Sequence, residues 1–525
     1  MGSTDSISWS NIDKKTRGSI MLGLALGMLL ATLDGTIVST SLPSIVNDLG
    51  GNELYSWVFT GFMLCETVMI PIAGKLSDLY GRKPLFLLGI VIFLGGSILS
   101  GLCGSMMQLI VFRAIQGIGG GMLIPVATAA VADLYSPAER GKVQGMLGSL
   151  FAVAMCLGPF LGGYITDNIS WHWIFFINVP LGIIAIIFTM RKFPKQMPVD
   201  NIHVDYTGIA LLSGFLLVFL LFFTWAGVDF AWISAESFVM IVAFLALLAL
   251  FIWNEFKAKD PVLKPSMFKN KMFVYCSIVM IIFGMGMMGI MAYLPSFMQI
   301  VVGISATNSG LIILPLVIGV MITSMASGFT VKKTGYRPWL MAGPIIAAIG
   351  MLLLSTLSRE SSESTALFYL FVTGLGLGCV MSVVMIAAQN SAKQNEMGMT
   401  TSSVNLFRSI GSTVAVGIFT TIINSRMAQE LLFLPQGIYD TVPHTIGILD
   451  LLMKPPIFPK FTYDVIDAYG NSVTFAFMIG AIVVLLVFAV AIFMKGKPPL
   501  EIEITDSENE ETDEMPETLQ PDMLH

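Results

Sequence analysis

Apolar residues along this chain fall in long, nearly unbroken runs rather than alternating every second position or returning every third or fourth. Fourteen runs can be traced, near residues 18–42, 55–74, 84–103, 105–133, 143–166, 171–190, 206–226, 236–254, 272–297, 305–329, 339–357, 366–390, 404–424 and 471–494. A helix rises 1.5 Å per residue, so about 20 residues cross the ~30 Å hydrocarbon core of a bilayer. In that core each backbone N–H and C=O needs a partner within its own segment, which a helix provides. The pattern predicts an all-α polytopic membrane protein with fourteen transmembrane helices.

Polar residues between the runs set the orientation, because Lys and Arg accumulate on the cytoplasmic side of a membrane. With the N-terminus inside, 22 of the 28 Lys and Arg fall in cytoplasmic segments. Four (Arg359, Arg426, Lys454, Lys460) fall outside, and Arg113 and Arg408 lie within spans. A bias that survives so many alternations supports an even number of spans, with both termini cytoplasmic, in a multi-pass protein of the cell (plasma) membrane. The longest connection is an external stretch, 425–470, rich in Pro and aromatic residues.

Composition narrows the class. Hydrophobic residues make up 55% of the chain and charged residues 12%, about half the charge of soluble domains, and mean hydropathy is +0.81. Soluble-enzyme, collagen-like, disordered and disulfide-scaffold classes are excluded. The net charge of −6 comes from the C-terminus: residues 501–525 hold ten acids and no Lys or Arg, leaving the rest at +4. Such a segment buries too little apolar surface to fold, so 495–525 reads as an acidic, disordered cytoplasmic tail. Cys65, Cys103, Cys156, Cys276 and Cys379 lie in or beside apolar runs, so no disulfide framework is implied. The polar residues 1–17 lead directly into a full-length span, so no cleavable signal peptide is expected. Met1-Gly2 with Ser6 matches the myristoylation pattern, which adds little to an integral protein. His172, His203, His444 and His525 are scattered, and no Gly-x-x-x-x-Gly-Lys-Ser/Thr phosphate loop occurs. Neither a metal, a cofactor, ATP drive nor nucleic-acid binding is expected.

An internal repeat is legible. Gly74-Lys-Leu-Ser-Asp78-Leu-Tyr-Gly81-Arg82-Lys83-Pro84 follows the second span, and Gly328-Phe-Thr-Val-Lys-Lys-Thr-Gly335-Tyr-Arg337-Pro338 follows the tenth. Leu42-Pro43 at the end of the first span is echoed by Leu294-Pro295 at the end of the ninth. The echo steps by eight spans, which predicts two six-helix bundles (18–190 and 272–494) separated by a linker with inserted helices 7 and 8 (191–271). Internal repeats of this kind are frequent in secondary transporters.

A charged side chain at mid-membrane costs about 2.5–3.5 kcal/mol on insertion scales, so the few present need a reason. Asp34, Glu66 and Arg113 lie roughly 12–17 Å below the outer boundary at 1.5 Å per residue. Asp34 and Arg113 can pair, which alone would fix helix packing. A second acid at similar depth points instead to carboxyls that exchange protons, and the C-terminal half has no acid within its spans. Arg408 in the thirteenth span suits helix packing or anion contact equally. Phe283, Met285, Met287, Met288 and Met291 suit either a permissive apolar cavity or ordinary core.

These residues resemble the fourteen-helix drug:proton antiporter branch of the major facilitator superfamily. Leu33-Asp34 through Leu42-Pro43 is similar to its first-helix motif, and Gly74 to Phe86 to the superfamily's loop motif, with Asp78, Gly81, Arg82 and Lys83 in place and Leu79 where a basic residue is frequent. Leu109 to Gly121, containing Arg113, Gln116, Gly117 and Gly121, resembles the fourth-helix motif. Gly158-Pro159-Phe-Leu-Gly162-Gly163 resembles the fifth-helix motif of exporters, with Ala154 where its first Gly is usual. Trp171-His172-Trp173 through Asn178-Val-Pro180 resembles a sixth-helix pattern, with His172 where Arg is common. The resemblance implies that the loop motif latches the cytoplasmic side and that Arg113 serves proton transfer beside the first-helix acid. Physically, the glycines of 158–163 predict close helix contact between the two halves.

The combined expectation is a proton-coupled exporter, not an enzyme. It exchanges protons for small lipophilic, cationic drugs or toxic compounds by alternating access, as a monomer in the lipid bilayer. A proton-coupled transporter of one metabolite or lipid is the alternative on the same fold, and a non-transporting receptor the alternative in another class.

Overall fold

The computed structural model describes residues 13–50, 54–193, 203–227, 229–304, 311–393, 396–432 and 462–494. Most of residues 1–17, much of the 425–470 stretch, the side chain of Pro159 and the acidic tail lie outside the described residues. So do the myristoylation pattern, His444 and His525.

Fourteen helices of fifteen residues or more follow in order among the described residues: α1 (Lys14–Leu49), α2 (Tyr55–Tyr80), α3 (Arg82–Gly101), α4 (Met106–Leu134), α5 (Pro137–Asn168), α6 (Asn178–Lys192), α7 (Tyr206–Trp225), α8 (Ala235–Glu255), α9 (Lys271–Phe297), α10 (Leu314–Thr334), α11 (Arg337–Leu354), α12 (Glu363–Asn390), α13 (Met397–Leu432) and α14 (Thr462–Phe493). A one-turn helix, Trp173–Phe176, precedes α6 and completes the sixth span. Among the described residues thirteen spans are long and apolar enough to cross a membrane. The remaining helix, α5, is 32 residues long but opens on Glu139, Arg140 and Lys142. Short polar caps start several helices: Asp13 accepts from Thr16 N (2.6 Å), Asp205 from Gly208 N (2.8 Å) and Asn270 from Met272 N (3.0 Å).

Helix packing repeats with the step of eight that the loops announce. In the first bundle α1 packs on α5 and α6, α2 on α4, and α3 on α4 and α6; in the second α9 packs on α13 and α14, α10 on α12, and α11 on α12 and α14. The correspondence reaches single residues. Backbones touch at Gly117 against Phe62 and at Gly374 against Leu316, at Gly119 against Phe93 and at Gly376 against Ala347, at Gly96 against Gln116 and at Gly350 against Thr373. Gly81 (φ 93°) and Gly335 (φ 73°) both end their helices in a backbone conformation open to glycine, which makes the turn after α2 and after α10.

The bundles meet along two seams that mirror each other, α2 against α13 and α5 against α10. The inserted helices α7 and α8 pack on one another, and α7 docks on α2 and α13 at the first seam. There Phe223 lies against Gly417, Trp232 Nε1 donates to Thr421 Oγ1 (2.6 Å), and Trp57 meets Trp225 edge-on at 5.8 Å. Most of α8 faces away from protein, with Phe238, Val239 and Trp253 exposed, as a lipid-facing helix requires.

The fifth-helix glycines do not do what their small size suggested. Gly158 lies against Thr36 and Gly162 against Ile37 and Thr40, so they seat α1 inside the first bundle, while Gly163 has open space around it. Contact between bundles is made one end lower on α5, where Gly141 meets Gly328 and Gly145 meets Ser324 and Met325 of α10. The 425–470 stretch is also shorter than expected: α13 continues to Leu432 and α14 begins at Thr462.

Candidate functional site

Two polar constructions stand out against the apolar interior. The first is buried between α1, α3, α4 and α6. Asp34, Arg113, Gln116, Asn178 and Ser97 are all fully buried. Arg113 Nη1 donates to Asp34 Oδ2 and, at 2.7 Å, to Gln116 Oε1; Gln116 Nε2 donates to Asp34 Oδ1 at 2.8 Å. Asn178 Nδ2 donates to Asp34 Oδ1 (3.1 Å) and to Ser97 Oγ (2.9 Å), and Ser97 donates onward to Phe175 O (2.9 Å). The guanidinium lies over the Phe62 ring at 4.2 Å. Sequence geometry explains the convergence. Arg113 and Gln116 are three apart on α4 and share a face, and α4 comes close because Gly117 and Gly121 let it rest on the backbone of α2 at Phe62 and Glu66.

Glu66, half-buried on α2, interacts electrostatically with Arg408 on α13 and with Arg113 and Asp34. Arg408 is in reach but does not close an ion pair with it in this conformation. The two acids and two arginines thus form one electrostatic group that touches both bundles. The repeat makes its asymmetry explicit: the residues at the places of Glu66, Arg113 and Gln116 in the second bundle are Val320, Leu370 and Thr373. The first bundle carries Asp34, Glu66 and Arg113, the second contributes Arg408, and the same helix packing forms in the second without those acids.

The second construction lies where the basic loops gather. Asp78 Oδ1 accepts from Gly398 N (2.9 Å) and Oδ2 from Met399 N (2.8 Å), so a carboxylate of the first bundle caps the N-terminus of α13 in the second. Arg82 pairs with Asp78 (2.6 Å) and Asp133 (2.9 Å) and donates to Ser77 Oγ (2.6 Å). Gly74 lies against Ser402 and Gly398, the close approach that lets Asp78 reach. Lys83 serves its own bundle, donating to Met190 O (2.7 Å) and Phe193 O (2.8 Å) at the end of α6. At the mirrored seam Arg140 donates to Asn390 Oδ1 (2.9 Å), Asn390 to Tyr336 Oη (3.0 Å), and Gln144 to Gln389 Oε1 (3.3 Å). The bundles are therefore joined at the basic face. A strap after α8 adds Lys264–Glu396 (2.8 Å) and Lys75–Asp260 (3.8 Å), held in shape by Glu255 accepting from Leu263 N (2.8 Å).

Sequence reasoning singled out Asp34, Glu66, Arg113, Gln116, Arg408, Gly74, Asp78, Gly81, Arg82 and Lys83; the structure brings the first five into the buried group and Gly74, Asp78 and Arg82 into the basic one, while Gly81 makes the turn after α2 and Lys83 bonds to the end of α6. It missed Asn178 and Ser97 as neighbours of Asp34, and Asp133, Arg140, Gln389 and Asn390 at the basic face. Asn178 had a signal, since it sits inside a recognised sixth-helix pattern; the others read as ordinary helix-end polar residues.

Two repeated bundles meeting around a buried charge group, and bonded to each other across the basic face, define a multi-pass membrane transporter of the secondary class. Residues 24–416 match the model of the Major Facilitator Superfamily, and the chain belongs to that family. It is 37% identical over 457 residues to the "Multidrug transporter protein MdtP" of Bacillus subtilis (strain 168), covering 84% of each chain. It is 34% identical over 499 residues to "Multidrug resistance protein 3" of the same organism, covering 93% of this chain and 98% of the relative. Among solved structures the proton:xylose symporter XylE shares the fold, with a TM-score of 0.61 and 16% identity, covering 94% of this chain and all (100%) of that one.

Proposed function

We propose that the protein is a proton-coupled antiporter that exports lipophilic, cationic compounds. The observation that carries this is the fully buried Asp34 in a charge group whose two acids both lie in the first bundle. A carboxylate in such a place is costly, and the second bundle packs without it, so packing alone does not require it. The relatives named as multidrug transporters support the substrate class. Lys and Arg gathered at the joined face support placing that face in the cytoplasm, so the present conformation is closed to the cytoplasm. In the cycle inferred, Asp34 takes a proton from outside and releases it inside, and Glu66 and Arg408 at the seam sense the change. The bundles rock about the site as Asp78 lets go of the α13 N-terminus. Substrate leaves in the opposite sense.

The test is proton movement in inverted membrane vesicles acidified inside, on adding a panel of lipophilic cations. Proton efflux on addition of at least one cation, absent from vesicles lacking the protein, is expected. Correctly inserted protein that moves no protons with any of them contradicts antiport of this class.

A further inference from the structure

Within the buried group, one acceptor is left over. Asp34 in its ionised form takes hydrogen bonds from Arg113, Gln116 and Asn178, and Gln116 Oε1 is itself taken by Arg113. Asn178 Oδ1 is buried and has no hydrogen-bond partner, although a buried amide oxygen ordinarily finds one. A neutral Asp34 needs what the ionised one does not: an acceptor for its own O–H. Among the three side chains bonded to Asp34, the free acceptor belongs to Asn178.

We propose that Asn178 is a positioning residue for Asp34, whose side-chain amide donates to the ionised carboxylate and inverts to accept from the protonated one. This rests on the reading of Asp34 as the proton carrier. Inversion exchanges two donor hydrogens for two oxygen lone pairs. One lone pair then accepts from the Asp34 hydroxyl, and the other accepts from Ser97, whose hydroxyl turns away from Phe175 O. One proton is added at Asp34 and no other covalent bond changes. Phe175 lies in the turn Trp173–Phe176, and the sixth span is broken at Ile177, directly before Asn178. Protonation is thereby passed as a change of hydrogen bonding to the break in the sixth span. Of the charged groups around Asp34, Arg113 from α4 pairs with it and Glu66 from α2 interacts with it electrostatically, while Arg408 from α13 acts on Glu66; from α5 and α6 the neighbours of its helix are Gly158 and Asn178. None of the variants below alters those charges except Asp34 itself.

The test is infrared difference spectroscopy of the purified full-length protein in detergent, titrated with pH. The protonated-carboxyl band that disappears in Asp34→Asn is assigned to Asp34. In Asn178→Leu, of similar size but without donor or acceptor, the midpoint of that band is expected to move to higher pH by about one unit, roughly tenfold in proton affinity. Its frequency should rise as the hydrogen bond to the neutral acid is lost. Asn178→Ser keeps one group that both donates and accepts, and is expected to recover part of both shifts; it also serves if Asn178→Leu does not fold. Ser97→Ala leaves the Asp34 contact in place and should move the midpoint less. A wild-type midpoint and frequency in Asn178→Leu overturns the positioning role and leaves the proton-carrier reading standing. If no band is lost in Asp34→Asn, the carrier reading falls and takes the amide role with it.

Discussion

Replacing Asp78 by Asn should open the basic face. In the closed conformation both carboxylate oxygens accept backbone N–H groups from the start of α13, at 2.9 and 2.8 Å, and one also meets Arg82 at 2.6 Å. Hydrogen bonds to a charged group are worth about 1.5–3 kcal/mol each. Asn keeps one acceptor oxygen, so one such bond is lost, together with the attraction of a negative charge to a helix N-terminus, about 0.3–1 kcal/mol. Arg82 retains Asp133 and so is not stranded. The bond across the seam is thus weakened by about 2–4 kcal/mol, which at 1.4 kcal/mol per tenfold shifts the closed-to-open ratio by roughly 30- to 700-fold. Spin labels at Tyr80→Cys and Lys393→Cys, both exposed on either side of the seam, report the separation by double electron–electron resonance. The labelled parent should show a short distance, and Asp78→Asn a dominant longer one. Identical distributions in the two would refute the assignment of Asp78 as a bond between bundles.

Other consequences are equally direct. Removing one member of the buried pair strands its partner, so Asp34→Leu and Arg113→Leu should each destabilise the purified protein by about 3–5 kcal/mol, while the double variant loses less than the sum; additive losses of melting temperature would contradict the pairing. A Cβ on Gly162 meets Ile37 O at 2.5 Å whereas one on Gly163 meets nothing within 4 Å. Gly162→Ala should therefore lower stability, and Gly163→Ala should leave it unchanged or raise it by up to about 1 kcal/mol, as for glycine in a helix; the reverse order in a thermal melt would show that α1 is not seated there. Glu255→Leu removes the acceptor of Leu263 N and Val262 N, and trypsin cleavage at Lys257 and Lys259 should rise severalfold; unchanged cleavage would show that Glu255 does not hold the strap.

Much of this was legible in the chain. Apolar runs located each span because backbone satisfaction in lipid leaves only the helix, but they stopped short at α1, α5, α13 and α14. These helices run to 36, 32, 36 and 32 residues, and their polar ends leave the bilayer, where hydropathy carries no signal. The Gly74–Pro84 and Gly328–Pro338 echo announced the repeat because a turn that needs a left-handed glycine tolerates little else. Gly158 and Gly162 were read for closeness correctly and for partner wrongly: a small residue says that a backbone approaches, not whose. Asp34 and Arg113 stood out because charge in a span is rare. Asn178 and Ser97 did not, since uncharged polar residues are common there and only the folded geometry shows which of them reach the acid. Arg140 was hidden among charges that topology alone explains, although it reaches across the seam to Asn390.

The central claim is that Asp34 carries the proton that drives export, and it is tested most directly in proteoliposomes by two readouts on one variant. Asp34→Asn fixes a neutral side chain, so substrate-for-substrate exchange of a lipophilic cation, which needs no proton, should persist, while accumulation of that cation driven by an imposed pH gradient should be lost. Gradient-driven accumulation at the wild-type level in Asp34→Asn would contradict the claim.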